Sequence, residues 1–246
     1  MTSNLDRNGF EIVPAILAGR ECEAIKNLAA SSLARSAGSR QFLEYGWCWD
    51  LAEKLRHHPL LRHLIGPTHV TVQCTYFDKS LLTNWLVAYH QDLSIPVLAH
   101  VPSPACTGWA VKDGVTFVQP PLAVLQSLVA VRLHLDRSED DNGPLRVLSG
   151  SHALGRVSAA DLPRIRAQHQ EETCTVPAGG ILALKPLLLH ASSKALSVAP
   201  RRVLHFVYGP SQLPEGLAWR RLGPKQGPLD APNSTVSPLR PRRSQI

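Results

Sequence analysis

The segment with the clearest chemical potential is Tyr89-His90-Gln91-Asp92. Alternate residues of a β-strand point to the same face, so His90 and Asp92 can reach one cation together if this segment is a strand. With one distant histidine, such a pair forms a two-histidine, one-carboxylate set that covers one face of Fe(II) and leaves the opposite positions open for a co-substrate and O2. The segment therefore predicts a metal centre suited to oxygen chemistry.

The candidate for the distant histidine is His190, which follows an apolar run and precedes Arg201 by eleven residues. A 2-oxoglutarate molecule that chelates iron through its keto acid leaves its second carboxylate deeper in a barrel. A guanidinium there forms a bidentate, charge-assisted pair that lysine cannot copy. Ser192 can add a hydroxyl donor to the same carboxylate, and strand alternation implies that only one of Arg201 and Arg202 points inward.

A second His-x-Asp pair, formed by His134 and Asp136, competes with the first. In an eight-stranded barrel with the pair on its second strand and the distal histidine on its seventh, several strands must lie between the two. The segment from His90 to His190 contains enough predicted strands for this arrangement, whereas the segment from His134 to His190 does not. Asp136 also opens an Asp-rich loop that ends in a turn signature, so we expect it to be a cap or a solvated charge.

Residues 69–79 alternate in a way that places Gln73, Thr75 and Lys79 on one strand face. A polar row that faces a core needs a ligand or a metal site to satisfy it, whereas the same row is unremarkable if it faces solvent. The pattern alone leaves both interpretations open.

The elements that must position these residues are helical first and β-rich afterwards. Helices are predicted at 20–34 and 48–64, the second interrupted by Pro59, and a third at 159–169 with Ser158 as N-cap. Strands are predicted at 69–78, 85–91, 115–119, 127–135, 144–149, 172–176, 180–190 and 201–208. The loops 93–114 and 149–171 are long enough to be lids.

This order predicts an α+β, mainly β protein, built as a barrel or jelly roll behind an N-terminal helical layer. We expect one domain over residues 1–219, with the helical layer at about 10–65 and the barrel at about 66–210. Residues 220–246 carry six basic side chains against one Asp, so they supply +5 of the net charge of +7. We read them as a loosely ordered, Pro-rich tail, and we expect no nucleic-acid partner.

Several function classes are disfavoured by composition. The first residues lack the pattern of a signal peptide, and no apolar run is long enough for a membrane span. The five scattered cysteines include no Cys-x-x-Cys, which suits a reducing cytoplasm. A small-molecule enzyme of the cytoplasm, without a membrane partner, is the resulting expectation; the oligomeric state is left open.

Taken together in order, these motifs resemble the phytanoyl-CoA dioxygenase family over residues 10–208. The resemblance is carried by residues 73–79, 84–85, 89–92, 142–146 and 150–152, and by His190 with Arg201 eleven residues later. It implies a double-stranded β-helix, also called a jelly-roll or cupin-like barrel, with iron at His90, Asp92 and His190 and 2-oxoglutarate paired with Arg201. It further implies that Trp109 lies beside the co-substrate and that Gln73, Thr75 and Lys79 line the pocket.

The activity that this resemblance implies is that of an Fe(II)- and 2-oxoglutarate-dependent dioxygenase. Such an enzyme hydroxylates an unactivated C–H bond of a small organic molecule with O2 and releases succinate and CO2. Asp92 indicates hydroxylation over halogenation, since halogenating relatives have a small residue there. Alternatives are desaturation, cyclisation or epimerisation by the same oxidant, a cupin-like metal isomerase, or a ligand-binding barrel without turnover. We expect Arg40, Leu93 and His205 to contact the substrate, whose identity the family does not specify.

Overall fold

The computed structural model describes residues 3–32, 40–81, 83–220 and 223. Nearly all of the predicted basic tail lies outside these residues. Within them the α-helices are α1 (Asn4–Asn8), α2 (Gly19–Ser32), α3 (Gly46–Arg56), α4 (Leu122–Ser127) and α5 (Leu162–Gln168), with short 3-10 turns at Phe42–Glu44 and Ser151–Leu154. None of these helices is long and apolar enough to cross a membrane.

Most strands of the described residues belong to two main sheets. In chain order they are β1 (Phe10–Val13), β2 (His69–Lys79), β3 (Val87–His90), β4 (Ile95–Val97), β5 (Thr107–Lys112), β6 (Val115–Gln119), β7 (Val129–His134), β8 (Leu145–Leu148), β9 (Glu171–Cys174), β10 (Ile181–Leu184), β11 (His190–Ser192) and β12 (Arg201–Pro210). The larger sheet has the order β1-β10-β7-β12-β2, and the smaller has the order β3-β11-β8-β9. All pairings within them are antiparallel.

The barrel strands are β2, β3 and β7 to β12, so the predicted double-stranded β-helix is confirmed. In this count His90 ends the second strand, His190 begins the seventh and Arg201 begins the eighth. His90 thus lies on the second strand, as the strand count from the sequence predicted. His134 ends the third strand instead.

The larger sheet has two chemically different faces because its residues alternate. Tyr76, Leu204 and Phe206 lie on the outer face and form one apolar core with residues of α2 and α3. The Tyr208 hydroxyl also donates to the Ala52 carbonyl in α3 at 3.0 Å. The helical layer thus covers the outer face, and the inner face is left to line the barrel.

The predicted helix 48–64 ends at Arg56, before Pro59, and the third helix begins at Leu162 with Asp161 and not Ser158 as N-cap. Three further differences concern strands. The apolar run 180–190 forms two strands, since the chain turns at Lys185, whose carbonyl accepts from the Leu188 amide at 2.9 Å. β1 lies within the predicted helical region and pairs with β10. Residues 93–114, predicted as a lid, contain β4 and β5, which form a third sheet with β6. All three depend on pairing partners that are distant in sequence, which local patterns do not reveal.

Asp136 lies on the outer face, where it connects β12 to α2. Its carboxylate accepts from the Arg202 backbone amide at 3.0 Å and from Arg202 Nε and Nη2 at 2.6 and 2.8 Å. It also accepts from Lys26 Nζ at 2.9 Å. The expectation that Asp136 is a simple cap or solvated charge is therefore wrong: it is the centre of a partly buried ion-pair network, far from any metal role.

We predict that Asp136→Ala lowers the free energy of unfolding by about 2–3 kcal/mol, because two cations lose their shared acceptor. Burial tends to raise the pKa of this carboxyl, but the hydrogen bonds from Arg202 and Lys26 outweigh burial and hold it below its usual range. The stabilisation is therefore complete above the unfolded-state pKa of about 4 and is lost as the pH falls through the lower folded-state value. Denaturant unfolding of wild type, Asp136→Ala and the exposed control Asp140→Ala measures it. A loss of bound metal in Asp136→Ala would contradict this assignment.

Candidate active site

His90, Asp92 and His190 converge at one end of the barrel. The register of β3 and β11 places His90 directly opposite His190, and their ring centroids are 4.3 Å apart. Asp92 Oδ1 lies 3.7 Å from His90 Nε2, and its Oδ2 lies 3.8 Å from His190 Nε2. The three ligand atoms lie within 4.8 Å of one another. This separation suits three donors around a single cation.

The backbone orients both histidines in the same way. His90 Nδ1 lies 2.9 Å from the Ala88 carbonyl oxygen, and His190 Nδ1 lies 2.9 Å from the Leu188 carbonyl oxygen. A proton on each Nδ1 satisfies these carbonyls and leaves the Nε2 lone pairs directed toward Asp92. Burial lowers the pKa of His190, which favours the neutral, ligating form. The donor set is thus two imidazoles and one carboxylate, which fits Fe(II).

A cavity of about 410 Å³ adjoins the triad between the two main sheets. Its walls combine polar side chains of the inner strand faces with apolar side chains nearer the third sheet. Those that bear on the chemistry are Gln73, Thr75, Phe77, Trp85, Val87, Leu93, Ile95, Phe117, Leu128, Arg132, Ser192, Arg201 and His205, with Arg40 and Lys112 also lining it.

Arg201 brings a positive charge into this cavity and forms no ion pair with any residue that the structure describes. The residue is 3% exposed, its Nε and Nη1 have no hydrogen-bond partner, and its Nη2 is 3.5 Å from Ser192 Oγ. Burial, reinforced by the charge of Arg132, lowers the pKa of Arg201 to about 9. Arg202 points to the opposite face, as alternation predicts. A buried guanidinium in this state calls for an anionic ligand.

Lys79 and Ser192 form a support beside Arg201. Lys79 is fully buried, does not line the cavity, and donates to Ser192 Oγ at 2.8 Å and to the Ser193 carbonyl at 2.6 Å. Ser192 in turn donates to the Gly143 carbonyl at 2.9 Å. The Ser192 hydroxyl proton is therefore already donated to Gly143. In this arrangement the hydroxyl does not offer the hydrogen bond to the co-substrate that was expected. Lys79 likewise supports the wall instead of contacting a ligand.

The inward interpretation of β2 is supported at Gln73 and Thr75. Both residues line the cavity, and Gln73 Nε2 donates to Thr75 Oγ1 at 3.0 Å. Arg40, Leu93 and His205 also line the cavity, as expected for substrate contacts. Arg40, however, is exposed and paired with Asp113 at 3.1 Å, so its charge already has a partner.

Trp109 does not line the cavity, so the structure does not place it beside a co-substrate. It lies in β5, where its ring centroid is 4.2 Å from that of His100 and where it packs against an apolar core that includes Ile95 and Leu128. Other residues of the third sheet line the cavity, among them Lys112 and Phe117, but Trp109 does not. Trp85 is the tryptophan in the cavity wall, and Lys79 Nζ lies 5.4 Å from its ring centroid.

Arg132 was missed by the sequence analysis. It is 6% exposed on β7 and lines the cavity. The sequence did contain a sign of this role. Arg132 is the one charged residue in the run Leu128-Val-Ala-Val-Arg-Leu-His-Leu135, which otherwise has the composition of a core strand. A charge in such a run requires a partner or a ligand.

Comparison with known proteins supports the family suggested by the motifs. The family model described as phytanoyl-CoA dioxygenase (PhyH) matches residues 5–203. No curated protein matches the sequence significantly.

Solved structures share the fold at low identity. EctD from S. alaskensis, with 2-oxoglutarate and 5-hydroxyectoine, has a TM-score of 0.66 and 20% identity over 90% of this chain and 83% of its own. The 2-oxoglutarate-dependent epimerase SnoN from nogalamycin biosynthesis has a TM-score of 0.64 and 18% identity, covering 96% and 90%. HygX from Streptomyces hygroscopicus, with nickel and 2-oxoglutarate, has a TM-score of 0.58 and 14% identity, covering 84% and 85%. Because the family model matches most of its length, the chain belongs to the phytanoyl-CoA dioxygenase family of non-haem Fe(II)- and 2-oxoglutarate-dependent enzymes.

Proposed function

We propose that this enzyme hydroxylates an unactivated C–H bond of a small organic molecule. In this proposal His90, Asp92 and His190 hold Fe(II), and Arg201 binds the distal carboxylate of 2-oxoglutarate. The observation that carries it is the combination of a convergent His-Asp-His triad and a buried guanidinium that forms no ion pair within the described residues, both on the walls of one cavity.

Each part of the site has a defined task. Bound iron, with 2-oxoglutarate and O2, supplies the oxidising power for C–H cleavage, and succinate and CO2 are the co-products. The Ala88 and Leu188 carbonyls fix the two imidazole rings, and the Asp92 carboxylate offsets one charge of the cation. Three protein ligands leave the remaining coordination positions free for the co-substrate and O2.

The co-substrate end of the site is built for a dicarboxylate. Arg201 has partnerless Nε and Nη1 groups, and Nη2, which donates one N–H to Ser192 Oγ, keeps a second N–H. One of the two partnerless nitrogens can therefore form a bidentate pair together with Nη2, while Lys79 and Ser192 hold the adjoining wall. The apolar side chains Val87, Ile95 and Phe117 restrict water near the reacting carbon. A cupin-like isomerase has no use for the buried charge of Arg201, and a ligand-binding barrel without turnover has no use for a complete metal triad. The two features together favour the oxygenase.

The experiment that tests this function measures succinate formed from 2-oxoglutarate in air. We expect Fe(II)-loaded protein to produce succinate slowly on its own and faster with the correct substrate, whose product then gains one oxygen atom. Zn(II)-loaded protein is the control and should produce none. The alternative outcomes of the same oxidant, namely desaturation, cyclisation and epimerisation, are separated from hydroxylation by the mass of the product.

We further propose that the enzyme works on a small molecule in the cytoplasm. All five cysteines are free and buried in the described structure, which suits a reducing compartment.

Residues 225–246 lie outside the described part of the chain. We predict that their deletion leaves succinate formation within a few-fold of the full chain, measured as initial rates at saturating 2-oxoglutarate. Loss of activity with the fold retained would show instead that this segment takes part in catalysis.

A further inference from the structure

The cavity contains a second buried guanidinium, that of Arg132, for which 2-oxoglutarate provides no obvious partner. Its Nη1 donates to His205 Nδ1 at 2.8 Å, and its guanidinium carbon lies 5.1 Å from the centroid of the Phe77 ring. Its Nε is buried without a hydrogen-bond partner. Within the described residues Arg132 forms no ion pair, so its charge is oriented but not neutralised.

His205 orients this guanidinium and does not offset its charge. An Nδ1 that accepts a hydrogen bond from Arg132 must be unprotonated, and burial together with the charge of Arg132 lowers the pKa of His205 to about 3. The imidazole therefore stays neutral at any physiological pH. Phe77 supports both side chains, since its ring packs edge-on against His205 with centroids 6.0 Å apart. The arrangement holds a positive charge in a fixed position on the cavity wall.

Arg132 and Arg201 occupy different levels of the barrel. Arg132 lies opposite His205 in the β7–β12 register, and His205 is four residues beyond Arg201 along β12. Four residues of a strand correspond to about 13 Å between backbone positions. The two guanidinium groups are nevertheless close enough for the charge of Arg132 to lower the pKa of Arg201. Arg201 has Ser192 and Lys79 beside it, whereas Arg132 is close enough to Asp92 for that carboxylate to raise the pKa of Arg132 against the effect of burial. The two cations thus suit two separate anionic groups.

The charge balance of the cavity requires one anion more than 2-oxoglutarate supplies. Asp92 is the single acid among the described residues that line it, against Arg132 and Arg201 deep inside and Arg40 and Lys112 nearer the third sheet. Taken together, Fe(II), the 2-oxoglutarate dianion, Asp92, Arg132 and Arg201 leave one positive charge in the cavity. Lys79, buried behind the wall beside Arg201, is a further cation whose hydrogen-bond partners are neutral. A buried charge without a counter-ion is costly in a protein interior.

We propose that Arg132, positioned by His205, binds a carboxylate of the primary substrate, so that the enzyme oxidises a small organic acid. The apolar side chains Val87, Ile95, Phe117 and Leu128 would receive its carbon skeleton. This inference rests on the proposed function, because it assigns Arg201 to the co-substrate.

The test uses Zn(II)-loaded protein, which binds without turnover. The first arm measures the Kd of 2-oxoglutarate by calorimetry for wild type, Arg132→Gln and Arg201→Gln. We expect a rise of about 10–100-fold for Arg201→Gln, as loss of a charge-assisted hydrogen-bonded pair implies, and a much smaller change for Arg132→Gln. An equal loss in both variants would assign Arg132 to the co-substrate and overturn the inference while leaving the proposed function intact. If wild type itself binds no 2-oxoglutarate, the proposed function fails, and the inference fails with it.

The second arm adds straight-chain carboxylates from acetate to octanoate, or their primary amides, to the 2-oxoglutarate complex and records the shift in Tm. We expect the acids to stabilise wild type more than the matched amides, and we expect this preference to disappear in Arg132→Gln and in Arg132→Met. Arg132→Met should unfold at the same or a higher temperature than wild type without ligand, because it removes an unpaired buried charge. Equal shifts for acids and amides in wild type, or an acid preference that survives in both variants, would overturn the inference.

Discussion

Replacement of His190 by alanine is expected to abolish both iron binding and succinate formation. His190 is buried at the centre of the triad, and no other His, Cys, Asp or Glu of the described residues forms a cluster that could replace it. Loss of an outer-shell partner alone typically costs 10–100-fold in metal affinity, so we expect loss of a direct ligand to weaken binding by more than about 100-fold. The measurement is iron per chain after anaerobic loading and desalting.

A matched control for this variant is His57→Ala, which removes an exposed histidine at the end of α3. Its iron content and succinate formation should equal those of wild type. One iron per chain in His190→Ala, with turnover retained, would contradict the assigned triad.

The second large effect concerns the co-substrate. We expect Arg201→Ala to raise the KM for 2-oxoglutarate on the order of 100-fold, because a buried carboxylate would lose its bidentate partner. Arg201→Lys should recover only part of this loss, since an ammonium cannot form the paired geometry. The measurement is the dependence of succinate formation on 2-oxoglutarate concentration.

Arg202→Ala is the neighbouring control, with a different expected outcome. Arg202 is bound to Asp136 on the outer face, so its loss should lower the free energy of unfolding and leave the KM for 2-oxoglutarate nearly unchanged. The reverse pattern, with the KM sensitive to Arg202 and not to Arg201, would mean that the other face of β12 binds the co-substrate.

The predictions from sequence were correct where the two-residue period of a β-strand decides which face a side chain occupies. Two-residue alternation put His90 and Asp92 on one side of the chain and separated Arg201 from Arg202, and the structure follows both. The same rule indicated that Gln73 and Thr75 share one face of β2, and the structure has that face line the cavity. Local geometry fixes these relationships, so no knowledge of distant partners was needed.

The predictions from sequence were wrong where contacts between residues distant in sequence decide the position of a side chain. Trp109 was assigned by its order after His90, but in the third sheet it packs against His100 and an apolar core and does not line the cavity. Asp136 could not be recognised as an ion-pair centre, since Lys26 lies 110 residues away. Lys79 shares the phase of Thr75, yet it is bound behind Ser192. Pattern and propensity carry no information on such tertiary contacts.

The central claim is that one cavity binds Fe(II) through His90, Asp92 and His190 and 2-oxoglutarate through Arg201. The most direct test is an anaerobic titration of Fe(II)-loaded protein with 2-oxoglutarate, followed by the visible charge-transfer absorption of the iron chelate. We predict a saturable band with one equivalent per chain in wild type, no band in His190→Ala, and a band in Arg201→Ala that requires much more 2-oxoglutarate. Tight Zn(II) binding with no such band in wild type, or an undiminished band in His190→Ala, would contradict the account.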